Sequence, residues 1–315
     1  MVISQNLEAR IPDRMKLVAM YGTQNISQPD EGENMDIDDR TGLAWSRLIG
    51  NVDLRISSIR DAMTGNMSIR NYTGNDLKAF TDLFNVVNGF VGTEKARDAE
   101  NIEWMLSQPS CNPETNCFLS YSKDALTGFL LIVPELPISR IVATGGVSPL
   151  YRNHGLGTMF TNLAIKLATQ LGASVLHVQA AQKGVTAQRM LNGLGFRSAR
   201  HYLQMRWVES ELVDMPLPSH YIVREFRLNQ DESTLVRLQN ITFGDHWGFC
   251  PNTIEDIHAK VGQNSSESPG ILFICDDTDE VAAYIWTTRN TNEAGSIGWI
   301  SMTGVHPLYR GRGLG

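Results

Sequence analysis

From Met67 onward the apolar residues alternate between two patterns, short runs of strand length and longer stretches spaced by three and four. The first apolar run predicts a strand over Met67–Tyr72, then a helix from Asp76 and a second helix over Thr93–Ser107. Asn116–Tyr121, Gly128–Val133 and Ile141–Val147 read as three strands of a meander. Leu156, Met159, Phe160, Leu163, Ala164 and Leu167 then fall on one face of a helix. A strand over Ser174–Gln179, a helix over Thr186–Leu194 stopped by Gly195, and a strand pair within Phe196–Trp207 complete the series. The pattern then starts again. It predicts a strand at Tyr221–Arg224, helices over Glu232–Thr242 and Thr253–Val261, and strands over Ile271–Cys275, Ala282–Thr288 and Ile297–Thr303. Strands and helices in this order predict an α/β fold of layered α+β type, a mixed central sheet flanked by helices.

The restart is also visible residue by residue. Gly146-Val147-Ser148-Pro149-Leu150-Tyr151-Arg152-Asn153-His154-Gly155-Leu156-Gly157 recurs 158 residues later as Gly304-Val305-His306-Pro307-Leu308-Tyr309-Arg310-Gly311-Arg312-Gly313-Leu314-Gly315, identical at nine of twelve positions. One module therefore occurs twice. We read a complete copy over residues 67–210 and a linker over 211–219, where Met215-Pro216-Leu217-Pro218 favours an extended chain. The second copy, 220–315, is read as incomplete, holding the N-terminal part up to the loop. Residues 1–66 match neither copy. Gln28–Asn34, followed by Asp36, Asp38 and Asp39, reads as a solvated and partly flexible extension. Trp45, Leu48, Ile49 and Val52 suit either one amphipathic helix or the remainder of a flexible tail.

The repeated run is a design for holding a pyrophosphate. An apolar strand is stopped by Pro149, which has no N–H to donate to a ladder, and a helix opens at Leu156. Gly155 and Gly157 permit close backbone approach, so the N–H groups of the first turn face outward from the positive end of a helix. Arg152 adds a permanent charge with a planar fork that fits phosphate oxygens. The predicted ligand contacts are Gly146, Val147, Arg152, Asn153, His154, Gly155, Leu156, Gly157 and Thr158, and in the second copy Val305, Arg310, Gly311, Arg312, Gly313, Leu314 and Gly315. A glycine-rich turn without a ligand is the plain alternative, and recurrence of the whole order argues against it. Neither Gly-x-x-x-x-Gly-Lys-Ser/Thr nor Gly-x-Gly-x-x-Gly is present in either copy.

Val-x-Pro-x-Tyr-Arg-x-x-Gly-x-Gly resembles the coenzyme A motif of the GCN5-related N-acetyltransferases, and the tandem copies resemble their two-domain, mycothiol-synthase-like branch. Ala187, Met190 and Gly195-Phe196 fall where the family writes Asn-x-x-Ala-x-x-Leu-Tyr-x-x-x-Gly-Phe, with Gly184 at the asparagine and Leu191 at the tyrosine. Phe243–Phe249 is similar to the substrate-side loop of tandem members. The resemblance implies acetyl-coenzyme A as cosubstrate, no metal, and transfer of the acetyl group to a primary amine. The acceptor stays open among amino sugars, amino acid derivatives, polyamines, aminoglycosides and protein amines. The alternative reading is a non-catalytic or regulatory coenzyme A-binding module.

Composition narrows the partners. A net charge of −7 argues against nucleic acid, whose duplex binders neutralise phosphates with basic patches. Cys111, Cys117, Cys250 and Cys275 show no Cys-x-x-Cys spacing, which disfavours zinc and favours a reduced, cytoplasmic setting. No apolar run reaches the length of a membrane span.

The chemistry implied by the resemblance needs three things: a donor to the thioester carbonyl, a base for the amine and an acid for the departing thiolate. The backbone N–H of Val147 is the expected carbonyl donor. His177, His154 and Glu135 are weak base candidates, and His246 beside Trp247 in the second copy is the better one. Leu191 cannot donate a proton, so Tyr202 is the substitute acid, with a packed core tyrosine as the competing reading.

Overall fold

Phe129-Leu130-Leu131-Ile132-Val133 is apolar at every position because the strand that carries it is covered on both faces. Leu130 and Ile132 enter one core and Phe129, Leu131 and Val133 the other, as the two-residue period of a strand requires. The computed structural model describes residues 3–6, 9–10, 16–20, 67–91, 97–181, 183–203, 216–262, 270–292 and 295–315. The chain divides into two compact units, Met1–Trp207 and Val208–Gly315.

In the first unit, three short strands precede residue 67 among the described residues: β1 (Ile3–Asn6), β2 (Ala9–Arg10) and β3 (Lys16–Met20). They are followed by β4 (Met67–Asn71), α1 (Leu77–Val91), α2 (Ala99–Leu106), the single turn α3 (Pro113–Asn116), β5 (Cys117–Ser122), β6 (Ala125–Glu135) and β7 (Arg140–Val147). The remainder is α4 (Leu156–Gln170), β8 (Val175–Ala181), α5 (Val185–Gly193) and β9 (Arg197–Leu203). The nine-stranded sheet has the order β2-β3-β9-β1-β8-β7-β6-β5-β4 and is mixed, with β7–β8, β3–β8 and β3–β9 parallel. Phe80, Leu83, Phe84, Ile102 and Leu106 from α1 and α2 fill one core. Leu156, Met159, Phe160, Leu163 and Leu167 from α4, with Leu191 from α5, fill the other.

Two sequence expectations change here. The second helix begins at Ala99, because the Asp98 side chain caps it by accepting from the Asn101 N–H. The expected terminal strand pair is a single strand, β9, among the described residues, and its neighbours come from the extension. β3 pairs with β8 over Val175–Gln179 and β1 pairs with it over Gln179–Ala181, so the two strands share one gap between β8 and β9. Part of the extension that was read as standing outside both copies therefore belongs to this sheet. Comparing the copies could not reveal it, because a strand present once leaves no repeat signal. The expected solvated stretch at 28–39 and the amphipathic helix at 45–52 lie outside the described residues.

The second unit runs β10 (Tyr221–Glu225), α6 (Glu232–Phe243), α7 (Ile254–Gly262), β11 (Gly270–Asp276), β12 (Val281–Asn292) and β13 (Gly295–Val305). Its four-stranded sheet is antiparallel, in chain order. Leu235 and Leu238 of α6 and Ile257 and Val261 of α7 pack on Ile271, Phe273 and Trp286. Two side-chain devices of the first unit recur. Arg70 grips Asp76 with two hydrogen bonds of 2.7 and 2.6 Å, and Arg224 grips Asp231 at 2.7 and 3.0 Å. Asn85 clasps the backbone of Arg97 through its amide, and Asn240 clasps that of Asn252 in the same way.

Asp76 is buried and also accepts from Tyr121 Oη at 2.7 Å and the Thr73 N–H at 2.8 Å. The Arg70 guanidinium, with Tyr121 and Thr73 assisting, holds its carboxyl well below the ordinary carboxylate range. A pKa lowered by folding stabilises above the unfolded value and is lost as pH falls through the folded one. Asp76→Asn should therefore cost about 1.5–3 kcal/mol at neutral pH, the range for hydrogen bonds to a charged group. Urea melts should show that gap narrowing on acidification below about pH 4, the unfolded carboxylate value; a gap that persists undiminished at pH 2 assigns the loss to shape rather than charge.

Candidate functional site

β7 and β8 are hydrogen-bonded in parallel only where Arg140–Ala143 face Val175–Val178. Beyond those residues Thr144–Val147 and Gln179–Ala181 line opposite sides of a cleft of ≈ 1080 Å³. On its other edge β7 stays paired with β6 throughout, Val147 facing Gly128 and Gly146 facing Phe129. The Ser148 N–H donates to the Thr127 carbonyl at 2.8 Å. Backbone groups of an antiparallel strand alternate in direction, so the N–H groups of Val147 and Gly145 point away from β6, toward the cleft.

Gly146 is required by the helix that crosses this strand. A Cβ there would lie 2.7 Å from Val87 Cγ1 and 2.9 Å from Phe129 Cε1. The C-terminal half of α1 thus rests directly on β7 and brings Phe84, Val87 and Asn88 into the cleft wall. These three were not read from the sequence. The periodicity of α1 gives its apolar face, and the Gly145-Gly146 pair was the one signal that something approaches β7 closely.

Past Ser148 a 3₁₀ turn, Pro149–Tyr151, leads to Arg152. Its guanidinium is partly buried, and Nε donates to the Val147 carbonyl at 3.2 Å, which ties the loop to the strand end. Burial lowers the Arg152 pKa from its ordinary high value, and the group stays cationic at neutral pH. Gly155 caps α4 with φ +84°, a conformation that L side chains rarely adopt. The helix makes its first internal bond from the Met159 N–H to the Gly155 carbonyl at 2.9 Å. The N–H groups of Leu156, Gly157 and Thr158 therefore have no intrahelical acceptor, and these residues line the cleft. Gly157 also lets α4 meet α5, since a Cβ there would sit 3.0 Å from Met190 Sδ.

Most residues expected around the first loop meet in this cleft: Gly146, Val147, Arg152, Asn153, Gly155, Leu156, Gly157 and Thr158 all line it. His154 does not; it is exposed at the tip of the turn. Tyr202 on β9 does line the cleft, half-exposed rather than packed in the core, with its pKa raised by burial of the inner part of the ring. Leu191 is buried at the cleft wall. Among the described lining residues the charged ones are Arg152 and Lys183, and there is no Asp, Glu or His. Glu135, at the end of β6, is ion-paired with Arg140, and His177 is buried in β8. Desolvation, with Arg140 adding to it, holds His177 neutral by lowering its pKa to about 3.

In the second unit Arg310 repeats the tie, Nε donating to the Val305 carbonyl at 3.2 Å and Nη2 to the Thr242 carbonyl at 3.0 Å. Arg312 Nη2 donates to the Leu308 carbonyl at 3.0 Å, and its guanidinium lies over the Tyr309 ring. The pocket of ≈ 240 Å³ beside this loop takes in His306, Leu308 and Tyr309 but none of Arg310, Gly311, Arg312, Gly313, Leu314 and Gly315. His246 is exposed between α6 and α7, its ring edge-on to Phe243 at 4.8 Å. Among the described residues no His, Cys, Asp and Glu cluster could hold a metal ion, and no helix is long and apolar enough to cross a membrane.

The sequence model of the acetyltransferase (GNAT) family matches residues 233–315. The chain is 28% identical over 195 residues to the mycothiol acetyltransferase of Nocardia farcinica, covering 60% of this chain and 63% of that one. It is 29% identical over 203 residues to the mycothiol acetyltransferase of Acidothermus cellulolyticus, covering 60% and 61%. It thus spans less than two thirds of the length of these curated relatives. Among solved structures, a GCN5-related N-acetyltransferase from Sphaerobacter thermophilus aligns with a TM-score of 0.58 at 17% identity, over 80% of this chain and 79% of that one. The glucosamine N-acetyltransferase region of a fungal GH3 beta-N-acetylglucosaminidase aligns at 0.52 and 14% identity, over 78% of this chain and 32% of that one. At these identities the two structures share the fold with this chain.

The close approach at Gly146 is open to a direct test. Gly146→Ala should cost about 1–3 kcal/mol, the range for overpacking, because two side chains must move. Adding Val87→Ala removes the nearer neighbour and should recover part of the loss. Thermal melts in which the double variant is no more stable than the single one would show that α1 does not press on β7 here.

Proposed function

We propose that the chain is a GCN5-related N-acetyltransferase that binds acetyl-coenzyme A in the first-unit cleft and serves the transfer of the acetyl group to a primary amine of a small molecule. The observation that carries this reading is the parting of β7 from β8 directly before a helix whose first N–H groups face the gap. A pyrophosphate fits that helix start, with the Arg152 and Lys183 charges beside it and no carboxylate to oppose them. The pantetheine arm, an extended chain with amide groups, suits the edge of β7 that faces away from β6 and would pair with it as an added strand does. The N–H of Val147 would then donate to the thioester carbonyl, most strongly as negative charge develops on the oxygen.

The amine attacks the carbonyl carbon, the C–S bond breaks, and coenzyme A leaves as a thiolate that takes up a proton. For a lysine-like acceptor, presenting the free amine at pH 7 costs about 4.6 kcal/mol. With no side-chain base among the lining residues, that proton leaves to solvent before attack. Of the hydroxyls lining the cleft, Tyr202 is our candidate to supply the proton to the thiolate.

The same absence favours a second reading, in which the first unit binds the coenzyme with little turnover and the chemistry belongs to the second unit, where His246 stands. Leu191 at the position of the family tyrosine points the same way.

Two measurements test these readings. Arg152→Ala should weaken acetyl-coenzyme A binding by about 1.5–3 kcal/mol in calorimetry, since it removes both the charge and the tie to the Val147 carbonyl. Unchanged affinity would place the pyrophosphate elsewhere. Leu191→Tyr should raise single-turnover thiol release by up to about 10²-fold, with little change in coenzyme affinity. In both proteins the rate should climb about tenfold per pH unit below the acceptor pKa, as the free amine fraction does. A plateau with a midpoint near pH 6–7 would instead reveal a histidine base.

A further inference from the structure

Tyr202 is the one residue of β9 that lines the first-unit cleft, and β9 has no ladder with β8, the strand that forms the nearest wall. Among the described residues its partners are β3 and β1, both from the extension before residue 67. β3 takes the first part of β9, with Val18 facing Arg197, Ala19 facing Ser198 and Met20 facing Arg200. β1 takes the last part, with Gln5 facing His201 and Ser4 facing Tyr202. On its other edge β1 pairs with the end of β8, Gln5 facing Ala180 and Ser4 facing Ala181. Ala180 and Ala181 line the cleft as well. Ser4 is therefore the rung that joins the cleft wall to Tyr202, across two strand spacings or roughly 10 Å.

Register gives that rung its importance. Residues that face each other across a ladder leave the sheet on the same side, and Ala181 and Tyr202 both face Ser4, so the phenol stands on the side that Ala181 presents to the cleft. A slip of one residue would turn Tyr202 to the opposite face. With β8 and β9 unpaired to each other, β1 sets this register. The coenzyme end of the cleft is built without it: β7 is held by β6, the loop by Arg152, and α4 by its own core contacts.

We propose that residues 3–6 are a positioning strap for the first-unit site, the strand that sets Tyr202 in register at the cleft beside the departing thiolate. The chemical role rests on the acetyl-transfer reading above, whereas the placement of Tyr202 rests on the ladder alone. When the C–S bond breaks, its electron pair stays on sulfur, the Tyr202 O–H passes its proton to that sulfur, and solvent returns a proton to the phenolate. Loss of the strap leaves the end of β9 with an open edge and takes the phenol from its place, while the groups that would hold the pyrophosphate stay where they are.

The test uses the full chain carrying Ser4→Pro with Gln5→Pro. Neighbouring N–H groups of a strand point to opposite edges, so the two prolines remove one donor from each edge of β1. Amide exchange over residues 201–203 should quicken by a factor of about 2 to 13 for each ladder bond lost, while that of residues 140–143 stays as it was. Ser4→Ala with Gln5→Ala keeps both N–H groups and should keep the slow exchange. In single-turnover thiol release at saturating acetyl-coenzyme A, the proline pair should slow the reaction about 10²-fold, as Tyr202→Phe should. All three substitutions together should be no slower than either, because both changes remove one and the same proton donor. Acetyl-coenzyme A affinity should be equal throughout. Unchanged exchange over 201–203 in the proline pair, rate losses that multiply, or a coenzyme affinity that falls with the prolines would each overturn the proposal. A wild type that releases no thiol with any of several primary amines sinks the acetyl-transfer reading instead, and the exchange result then decides the strap.

Discussion

The first unit depends on the loss of the parallel ladder between β7 and β8 after Ala143 and Val178. A sheet that stops pairing in its middle leaves backbone groups that must find other partners. On the β6 side nothing changes, so β7 remains a rigid rail. On the opened side the Val147 carbonyl is taken up by Arg152 Nε, and the N–H groups of Gly145 and Val147 face the cleft. The first turn of α4 adds more donors in the same place. The site is thus made mostly of main chain, and side chains serve mainly to set the strand ends and the loop in position.

That explains what the sequence disclosed. Backbone geometry leaves its trace in glycine and proline, and Gly146, Pro149, Gly155 and Gly157 mark the approach of α1, the end of the strand, the cap and the contact with α5. The loop was therefore legible, and so was the order of strands and helices from residue 67 onward. Partners distant in sequence were not. Nothing near Phe84 or Val87 says that their helix ends over β7, and nothing near Arg152 says that part of its guanidinium is bound to a carbonyl five residues earlier. His154 lies at the exposed tip of the turn, outside the cleft lining, because a turn between two cleft residues can still aim its tip outward. β1 and β3 were missed because the reading was organised by repetition, and they fill a gap between β8 and β9 that has no counterpart among the described strands of the second unit.

Comparing the units separates what holds the architecture from what adapts it. The Arg–Asp grip, the asparagine clasp and the arginine tie to the strand-end carbonyl recur with similar distances, the first two in flanking sequences that differ. The grip and the clasp satisfy part-buried groups that would otherwise be stranded, so these two are constrained by energy rather than by ligand. The wall between α1 and β6, where Phe84 stacks on Phe129, is free of that constraint, and its counterpart between α6 and β12 carries three polar side chains, Gln239, Thr242 and Tyr284. Such an exchange does nothing for stability by itself.

The charge pattern of the first cleft bears on the chemistry in the same way. Arg152 and Lys183 with no acid among the lining residues make a good anion site and a poor place to remove a proton. The nearby titratable groups are already committed, Glu135 to Arg140 and His177 to the interior, where desolvation holds it neutral far below physiological pH. On the proposed reading, a base built into this cleft would also introduce a negative or titrating group near the phosphates and weaken their binding at the helix start. Holding the coenzyme tightly and activating the amine are therefore partly opposed tasks in so small a space. A chain with a second, differently walled copy of the same scaffold can divide them, keeping the first cleft for the anion and the second for the chemistry.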